Sequence, residues 1–404
     1  MEYSDYYKFG EKCLGPLLYG FSKWLLVELE KKGLSKVYFF SRDGFIMKRA
    51  FDIVNKNQSI KSFYLEVSRR SLRVPVLRKN YSLENISTMI SPSMQISIDS
   101  IFDAVGLDID NYDYLLSKYG LSKGGRILRS KLLEDKKIKE LYNELCPEIE
   151  RISEQEYAVL KNYIQQNDLR GSFAIVDIGW SGGMQRFLSS TLNDMGIDAT
   201  IYGFYTGVCD YYKRNIDEKR PLYLNGYLFD FSHDEFAKDS RSAFVGLYEM
   251  LFLERKGSVE KYSKCDDGSV IALRYPYEYE ENGVLMPEVG KIQAVQEGAI
   301  NRVIRDNEAS VIPLTPKKQF DSLYKSGARP TREAVRLFAD FHFFDEGMTY
   351  CLAKPKSLVY YIFHLYEFKK DFLDSRWKTA FLRRLLGLPI SYLWLYNGLK
   401  KISK

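Results

Sequence analysis

The sequence predicts an α/β fold: a parallel sheet with helices on its faces, a helical insertion, and a helical C-terminal region. Three observations carry this. Short β-forming runs alternate with amphipathic helical stretches near the start of the chain, one later run is apolar almost throughout, and these runs end in polar loops. Strands alternating with helices build a parallel sheet. A strand apolar along its whole length is one covered on both faces.

The first helix spans residues 14–29, where Leu14, Leu17, Leu18, Phe21, Leu25 and Leu29 fall at helical spacing before Lys31, Lys32 and Gly33 stop it. KVYFF (36–40) is a strand that ends at Ser41-Arg42-Asp43-Gly44, and a second helix follows with Ile46, Ala50, Ile53 and Val54 on one face. SFYLEV (62–67) is the next strand and runs into Ser68-Arg69-Arg70-Ser71. From about 82 to 168 the pattern is mostly helical, in three stretches: IDSIFDAVGL, LLEDKKIKELYNELC and EQEYAVLKNYIQQ. Their charge runs read as solvated faces.

The sheet resumes with SFAIVDI (172–178), the run buried on both faces, and continues after a helix with ATIYGFYTGV (199–208). Residues 263–290 are rich in turn formers and are expected to be irregular. Residues 376–402 read as a basic, aromatic-rich helical segment interrupted by Gly387 and Pro389. The expected division is an α/β core from 1–80 and 170–235, an insertion at 81–169, and a C-terminal region at 236–404 that shapes an acceptor site.

Composition narrows the function classes. Hydrophobic residues form 45% of the 404 and charged residues 28%, an ordinary balance for a folded chain. The net charge of +6 is dispersed and no nucleic-acid motif occurs, so phosphates or an acidic membrane face are the favoured anionic partners. Cys13, Cys146, Cys209, Cys265 and Cys351 are widely spaced and odd in number, which reads as free thiols in a reducing compartment. His233, His342 and His364 have no partner at metal spacing, which disfavours a zinc site or a histidine triad. The opening MEYSDYYKFGEK has no apolar core of a secretory signal, and no stretch is long enough to span a bilayer. A cytoplasmic chain is expected.

Three strand ends carry candidate chemistry. In IVDIGWSGGMQ (175–185), a buried strand delivers Asp177 to its carboxyl edge, and Gly179, Gly182 and Gly183 let backbone N–H groups and a helix N-terminus approach a phosphate, with Ser181 adding a hydroxyl. In FFSRDGF (39–45), Arg42 can clamp a diphosphate and Asp43 can hold a metal or act as a general base. The alternative is a turn in which Ser41 or Asp43 merely caps the helix. In EVSRRSLRVP (66–75), Arg69, Arg70 and Arg73 form an anion site or a solvated basic turn, with Glu66 beside them.

Together, a strand ending in SRDG, one ending in SRRS and one running into DIGWSGG resemble the proteins once grouped as predicted HAD-superfamily hydrolases of polysaccharide gene clusters. The similarity spans roughly residues 12–260. It implies a type I phosphoribosyltransferase-like core and a glycan phosphoribosyltransferase activity, moving ribose 5-phosphate from PRPP to a bacterial surface glycan such as capsule or O antigen. A separate HAD-type phosphatase would then leave ribofuranose.

Under this resemblance Gly179, Trp180, Ser181, Gly182, Gly183, Met184 and Gln185 form the loop for the 5-phosphate, and Asp177 binds the ribose hydroxyls. Ser41, Arg42, Asp43 and Gly44 form the pyrophosphate loop, assisted by Arg69 and Arg70. Mg²⁺ bridges pyrophosphate and ribose, with Asp177 and Asp43 as its protein ligands. Asp43 is the first candidate for the base that activates the acceptor, and Glu66 the second. Common members of that fold carry two adjacent acids before the loop, whereas Asp177 is followed by Ile178.

Rival readings are a nucleotide-sugar glycosyltransferase and an HAD phosphatase, but neither Asp108-Ile109-Asp110 nor Asp230 makes a DxDxT-like turn after a buried strand. An oxidoreductase is disfavoured because no GxGxxG follows the first strand. In 376–402, Trp377, Phe381, Leu385, Leu386, Tyr392 and Trp394 mix with basic residues, which suggests peripheral membrane contact and a lipid-linked acceptor; a packed terminal helix is the alternative.

Overall fold

The computed structural model describes residues 3–90, 95–216, 221–239, 241–345, 348–388 and 390–402. Its centre is a five-stranded, all-parallel sheet of β1 (Lys36–Phe40), β2 (Lys61–Leu65), β3 (Gly171–Asp177), β4 (Ala199–Tyr205) and β5 (Tyr223–Gly226). The strand order is β2-β1-β3-β4-β5. The chain thus moves outward from β1 to β2, then returns across β1 to lay down the other three strands. Between β1 and β3 the direction of winding reverses, and it is outside the carboxyl ends of strands at such a reversal that open α/β sheets bind ligands.

Alternation along β1 covers both faces. Val37 and Phe39 enter one core with Phe21 and Leu25 of α1 (Gly15–Lys31) and Ile46 and Phe51 of α2 (Gly44–Val54). Tyr38 and Phe40 enter the other with Leu160 of α4 (Lys136–Gln166) and Leu188 of α5 (Gly183–Asp194). Between β2 and α4 lies the short helix α3 (Arg69–Arg73). The 31-residue α4 runs unbroken through Pro147 and joins two stretches that the sequence separates. Around its first half the insertion packs a cluster of its own, with Ile101, Phe102, Leu141 and Leu145 buried.

One expectation is corrected. Residues 263–290 are not simply irregular: β6 (Val259–Lys264) and β7 (Val270–Arg274) form an antiparallel hairpin, and Glu280–Glu281 pairs with Val284–Leu285. Gly268, at φ +84°, closes the first turn, and Val259, Tyr262 and Val270 bury against the core that holds Tyr38. The turn formers are hairpin loops.

The basic terminal segment is two helices, α10 (Lys378–Leu386) and α11 (Tyr392–Ile402), and α10 is stopped by Gly387 at φ +66°; Pro389 lies outside the described residues. Trp377, Phe381 and Tyr392 are buried, and the Trp377 indole donates to the Gly327 carbonyl at 2.7 Å. Their rings complete the core, whereas Trp394 of the same segment is 76% exposed. No helix among the described residues is long and apolar enough to cross a membrane.

Candidate functional site

All three motifs emerge at the carboxyl ends of adjacent strands, β2, β1 and β3, and the reversal of winding lies between two of them. Parallel pairing in register brings this about. Val37 stands opposite Ala174 and Phe39 opposite Val176, so Ser41 and Asp177 leave the sheet on the same edge. Both loops also contain a cis peptide, at Ser41–Arg42 and at Gly179–Trp180.

In the first loop Ser41 stitches the strand ends together. Its Oγ donates to the Val67 carbonyl at 2.7 Å and accepts from the Val67 amide at 3.0 Å. Arg42 forms an ion pair with Glu278 and donates to the Lys256 carbonyl at 3.3 Å. Neither Ser41 nor Asp43 caps α2: Asp43 is the N-cap residue but makes no side-chain capping bond. Its carboxyl therefore remains available on the site side. Gly44 begins α2 where a Cβ would come 3.0 Å from the Phe39 carbonyl carbon, too close for any larger residue without a shift.

In the loop after β3, Asp177 is buried and its Oδ1 accepts the Ile178 amide at 2.9 Å. Gly179, at φ +145°, packs so tightly that a Cβ would lie 2.6 Å from the Gly207 carbonyl oxygen. Gly182, at φ +73°, is the N-cap of α5, and the Asn215 amide holds the Ser181 carbonyl at 2.9 Å. Gly183 opens the helix and Met184 packs against the core below it. Gln185 is locked under the site. Its amide donates to the Ile201 and Tyr223 carbonyls at 3.0 and 3.1 Å, and the Tyr205 hydroxyl donates to its Oε1 at 2.8 Å. It can offer a ligand its backbone N–H, while its side chain serves the sheet.

The basic cluster divides. Arg69 opens α3 beside the two acids and depresses the pKa of both Asp43 and Asp177. Arg70 faces away from them: it makes a fork onto Glu156 of α4, at 2.9 and 2.8 Å, and bonds the Gly106 and Glu260 carbonyls. That guanidinium braces the insertion and hairpin against the core. Arg73 likewise holds the Asp103 and Ala104 carbonyls. Glu66 receives Arg274 through Nε at 2.9 Å and Nη2 at 2.6 Å, which ties the β7 hairpin to the end of β2. Asp43 thus has the freer carboxylate of the two candidate bases.

The electrostatics centre on a pair of acids. Burial pushes Asp43 up to about 7, with the charge of Glu249 adding to the rise and Arg42 and Arg69 opposing it. Burial likewise raises Asp177 well above the usual carboxylate range, and Asp43 adds to that; the Ile178 amide and Arg69 oppose. A carboxyl group whose pKa is raised by the charge of another lies in the same site as that neighbour. Perturbed acids in a crevice mark a functional site more often than chance.

Glu249, on α6 (Val245–Met250), is the residue that sequence reasoning missed. Trp180 donates to its Oε1 at 2.8 Å. The Trp180 ring is stacked between Phe229, at 6.2 Å and nearly parallel, and the guanidinium of Arg241, 3.6 Å from the ring centre. Arg241 is buried and bonded to Cys209 and Asp239. One signal for Glu249 was present: it is a lone acid within the apolar run 243–253.

A cavity of ≈ 340 Å³ opens between α2 and α7 (Pro287–Glu308), lined among others by Phe45, Arg49, Met250, Tyr277, Tyr279 and Glu297, while Asp43 and Asp177 are not part of its lining. Phe45 and Met250 follow closely on Asp43 and Glu249, and the two tyrosines flank Glu278, the partner of Arg42. The volume lies within the ~300–1,000 Å³ of small-molecule sites.

Among the described residues no group of three or more His, Cys, Asp or Glu is close enough to form a metal cage. Mg²⁺ needs no such cage, because it commonly uses one or two carboxylates together with substrate phosphate oxygens. The Asp43 and Asp177 pair fits that habit. Fold and site together define a parallel α/β protein with a crevice of mixed charge at its reversal of winding. No protein-family model matches the chain, and no curated protein matches it in sequence.

Proposed function

We propose that the chain is a glycan phosphoribosyltransferase that moves ribose 5-phosphate from PRPP to a sugar hydroxyl of a bacterial surface glycan and releases pyrophosphate. The observation that carries this reading is the meeting of Asp43 and Asp177, both raised by burial and by Glu249 and the second also by Asp43, with Arg69 and a glycine loop at one sheet edge. A donor with a phosphate, a ribose and a pyrophosphate presents complementary groups in that order.

The 5-phosphate takes the backbone N–H groups of Gly182, Gly183, Met184 and Gln185, where the positive end of α5 adds to their field. Asp177 binds ribose hydroxyls, and Arg69 and Arg42 face the pyrophosphate. Asp177 would hold Mg²⁺, which when bound would neutralise charge on the leaving group, and Asp43 is left to act as the base. The acceptor sugar enters the cavity beside Phe45, Tyr277 and Tyr279, whose rings suit the C–H faces of a sugar. Its hydroxyl oxygen attacks the anomeric carbon, the bond to pyrophosphate breaks with both electrons leaving on oxygen, and the hydroxyl proton passes to Asp43. A carboxyl near pKa 7 is half deprotonated at neutral pH, as a general base should be. We place the reaction in the cytoplasm and assign removal of the 5-phosphate to a separate HAD-type phosphatase.

The test is incubation with PRPP, Mg²⁺ and a panel of synthetic or lipid-linked glycans, followed by mass spectrometry. A gain of one phosphoribosyl unit that disappears in Asp177→Ala supports the reading. If PRPP neither reacts nor binds while a sugar nucleotide raises the melting temperature, the donor is a sugar nucleotide and the proposal fails.

A further inference from the structure

The helices α8 (Leu358–Phe363) and α9 (Leu365–Asp374) turn apolar side chains outward. Val359, Ile362 and Phe363 share one face of α8 at 65%, 60% and 78% exposure, and Leu365 and Tyr366 open α9 at 73% and 74%. Ten of the 27 exposed large hydrophobic residues among the described ones fall between Leu358 and Trp394. Scattered single apolar residues on a surface need no explanation, whereas a concentration of this kind marks a contact.

The exposed face is held in place from behind. The Tyr361 hydroxyl donates to Asp371 at 2.8 Å, and the rings of Tyr361, Phe368 and Phe372 pack on Phe381 of α10. These helices are therefore docked on the core by one side and present the other. Membrane-interface helices divide in this way, with an apolar face and basic flanks.

Charge selects the occupant. From Lys354 to the C-terminus the sequence holds eleven Lys and Arg against three Asp and Glu, which more than accounts for the net +6 of the whole chain. Lys354, Lys369 and Lys370, close to the apolar face, are exposed and make no ion pair among the described residues. Some other cations nearby are already occupied. Lys356 pairs with Glu367 and Asp371, and Lys378 is turned onto the carbonyls that end α9. Protruding apolar side chains ringed by unpaired lysines fit an anionic lipid surface, where rings enter the headgroup layer and the ammonium groups meet lipid phosphates.

We propose that α8 and the start of α9 dock the protein on the surface of an anionic membrane, with Val359, Ile362, Phe363, Leu365 and Tyr366 entering the interface and Lys354, Lys369 and Lys370 holding headgroups. This contact stands independently of the transferase reading, and it moves the membrane-facing surface away from Phe381 and its buried neighbours. An acceptor carried on a lipid would meet the enzyme at this surface.

The test is cosedimentation of the full chain with vesicles of phosphatidylcholine alone and of phosphatidylcholine mixed with phosphatidylglycerol. The expected result is partition onto the mixed vesicles only, released by high salt, and weakened about tenfold or more in the double variant Ile362→Asp, Phe363→Asp. The variant should keep the wild-type melting temperature, and Ile312→Asp, at an equally exposed site elsewhere, should bind as wild type. The proposal is overturned if wild type ignores mixed vesicles, binds both kinds equally, or is unaffected by the double substitution. It is overturned also if wild type is a dimer that the double variant splits without any vesicle binding, for then a second copy covers the face.

Discussion

The indole of Trp180 donates a 2.8 Å hydrogen bond to Glu249, and through it a helix 69 residues further along the chain reaches the loop that follows β3. The contact sets the charge of the crevice, because Glu249 raises the pKa of both Asp43 and Asp177. Trp180 in turn is held between Arg241 and Phe229.

Glu249→Gln therefore reports on Asp43 without touching it. Removing that negative charge lowers the Asp43 pKa, so its deprotonated form persists to lower pH. The acid limb of the pH profile of kcat/KM should move down by roughly half to one unit. A profile that does not move would show that Asp43 is not the base whose titration limits the rate.

Asp43→Asn should lose activity and gain stability. Its folded pKa of about 7 lies above the unfolded value of 3.8, so the folded state holds the proton more tightly. The stabilisation from protonation is complete below pH 3.8 and is lost as the pH rises through 7. At pH 8 the ionised Asp43 opposes folding, and the asparagine variant should be more stable by up to about 4 kcal/mol, with the difference fading toward pH 4. Activity should fall by roughly 10²-fold or more. Denaturant melts at both pH values, alongside turnover, separate the two effects.

The two adjacent arginines should part ways. Arg70→Gln leaves Glu156 buried without its partner and is expected to cost about 3 kcal/mol in urea unfolding. Arg69→Gln should raise the KM for the donor, whereas Arg70→Gln should leave that KM unchanged. Equal effects in the two variants would remove the distinction between brace and ligand.

The glycines of the loop differ in the same way. Gly179→Ala places a methyl 2.6 Å from the Gly207 carbonyl at φ +145° and should cost about 2 kcal/mol or more in stability. At Gly183 the nearest atom to an added Cβ is 3.8 Å away, so Gly183→Ala should fold as wild type. Any fall in its donor affinity, read by calorimetry, then reports backbone approach by the ligand.

Much of the core was legible in the sequence because it depends on local pattern. KVYFF is β1 residue for residue, and the apolar run ending at Asp177 became the central strand, covered on both faces as its composition requires. The turn-rich hairpin β6–β7 was hidden because its strands are short and half exposed. Glu249 was hidden for another reason: its neighbours in sequence are all core residues, and only the fold carries it back to Trp180.

By itself, then, the sequence determined four of the five sheet strands, the loops that end three of them, and a parallel sheet, since these follow from periodicity, turn chemistry and the burial of β-formers, while the short strand Tyr223–Gly226 was missed. Only the tertiary structure decided that β3 would lie against β1, and hence that Asp177 would meet Asp43. It also decided that Arg69 faces the acids while Arg70 faces Glu156, and that Phe381 is core while Phe363 is surface. The physical reason is common to all of these. Charge coupling and burial depend on distances across the fold, and residues side by side in the chain can point into different environments.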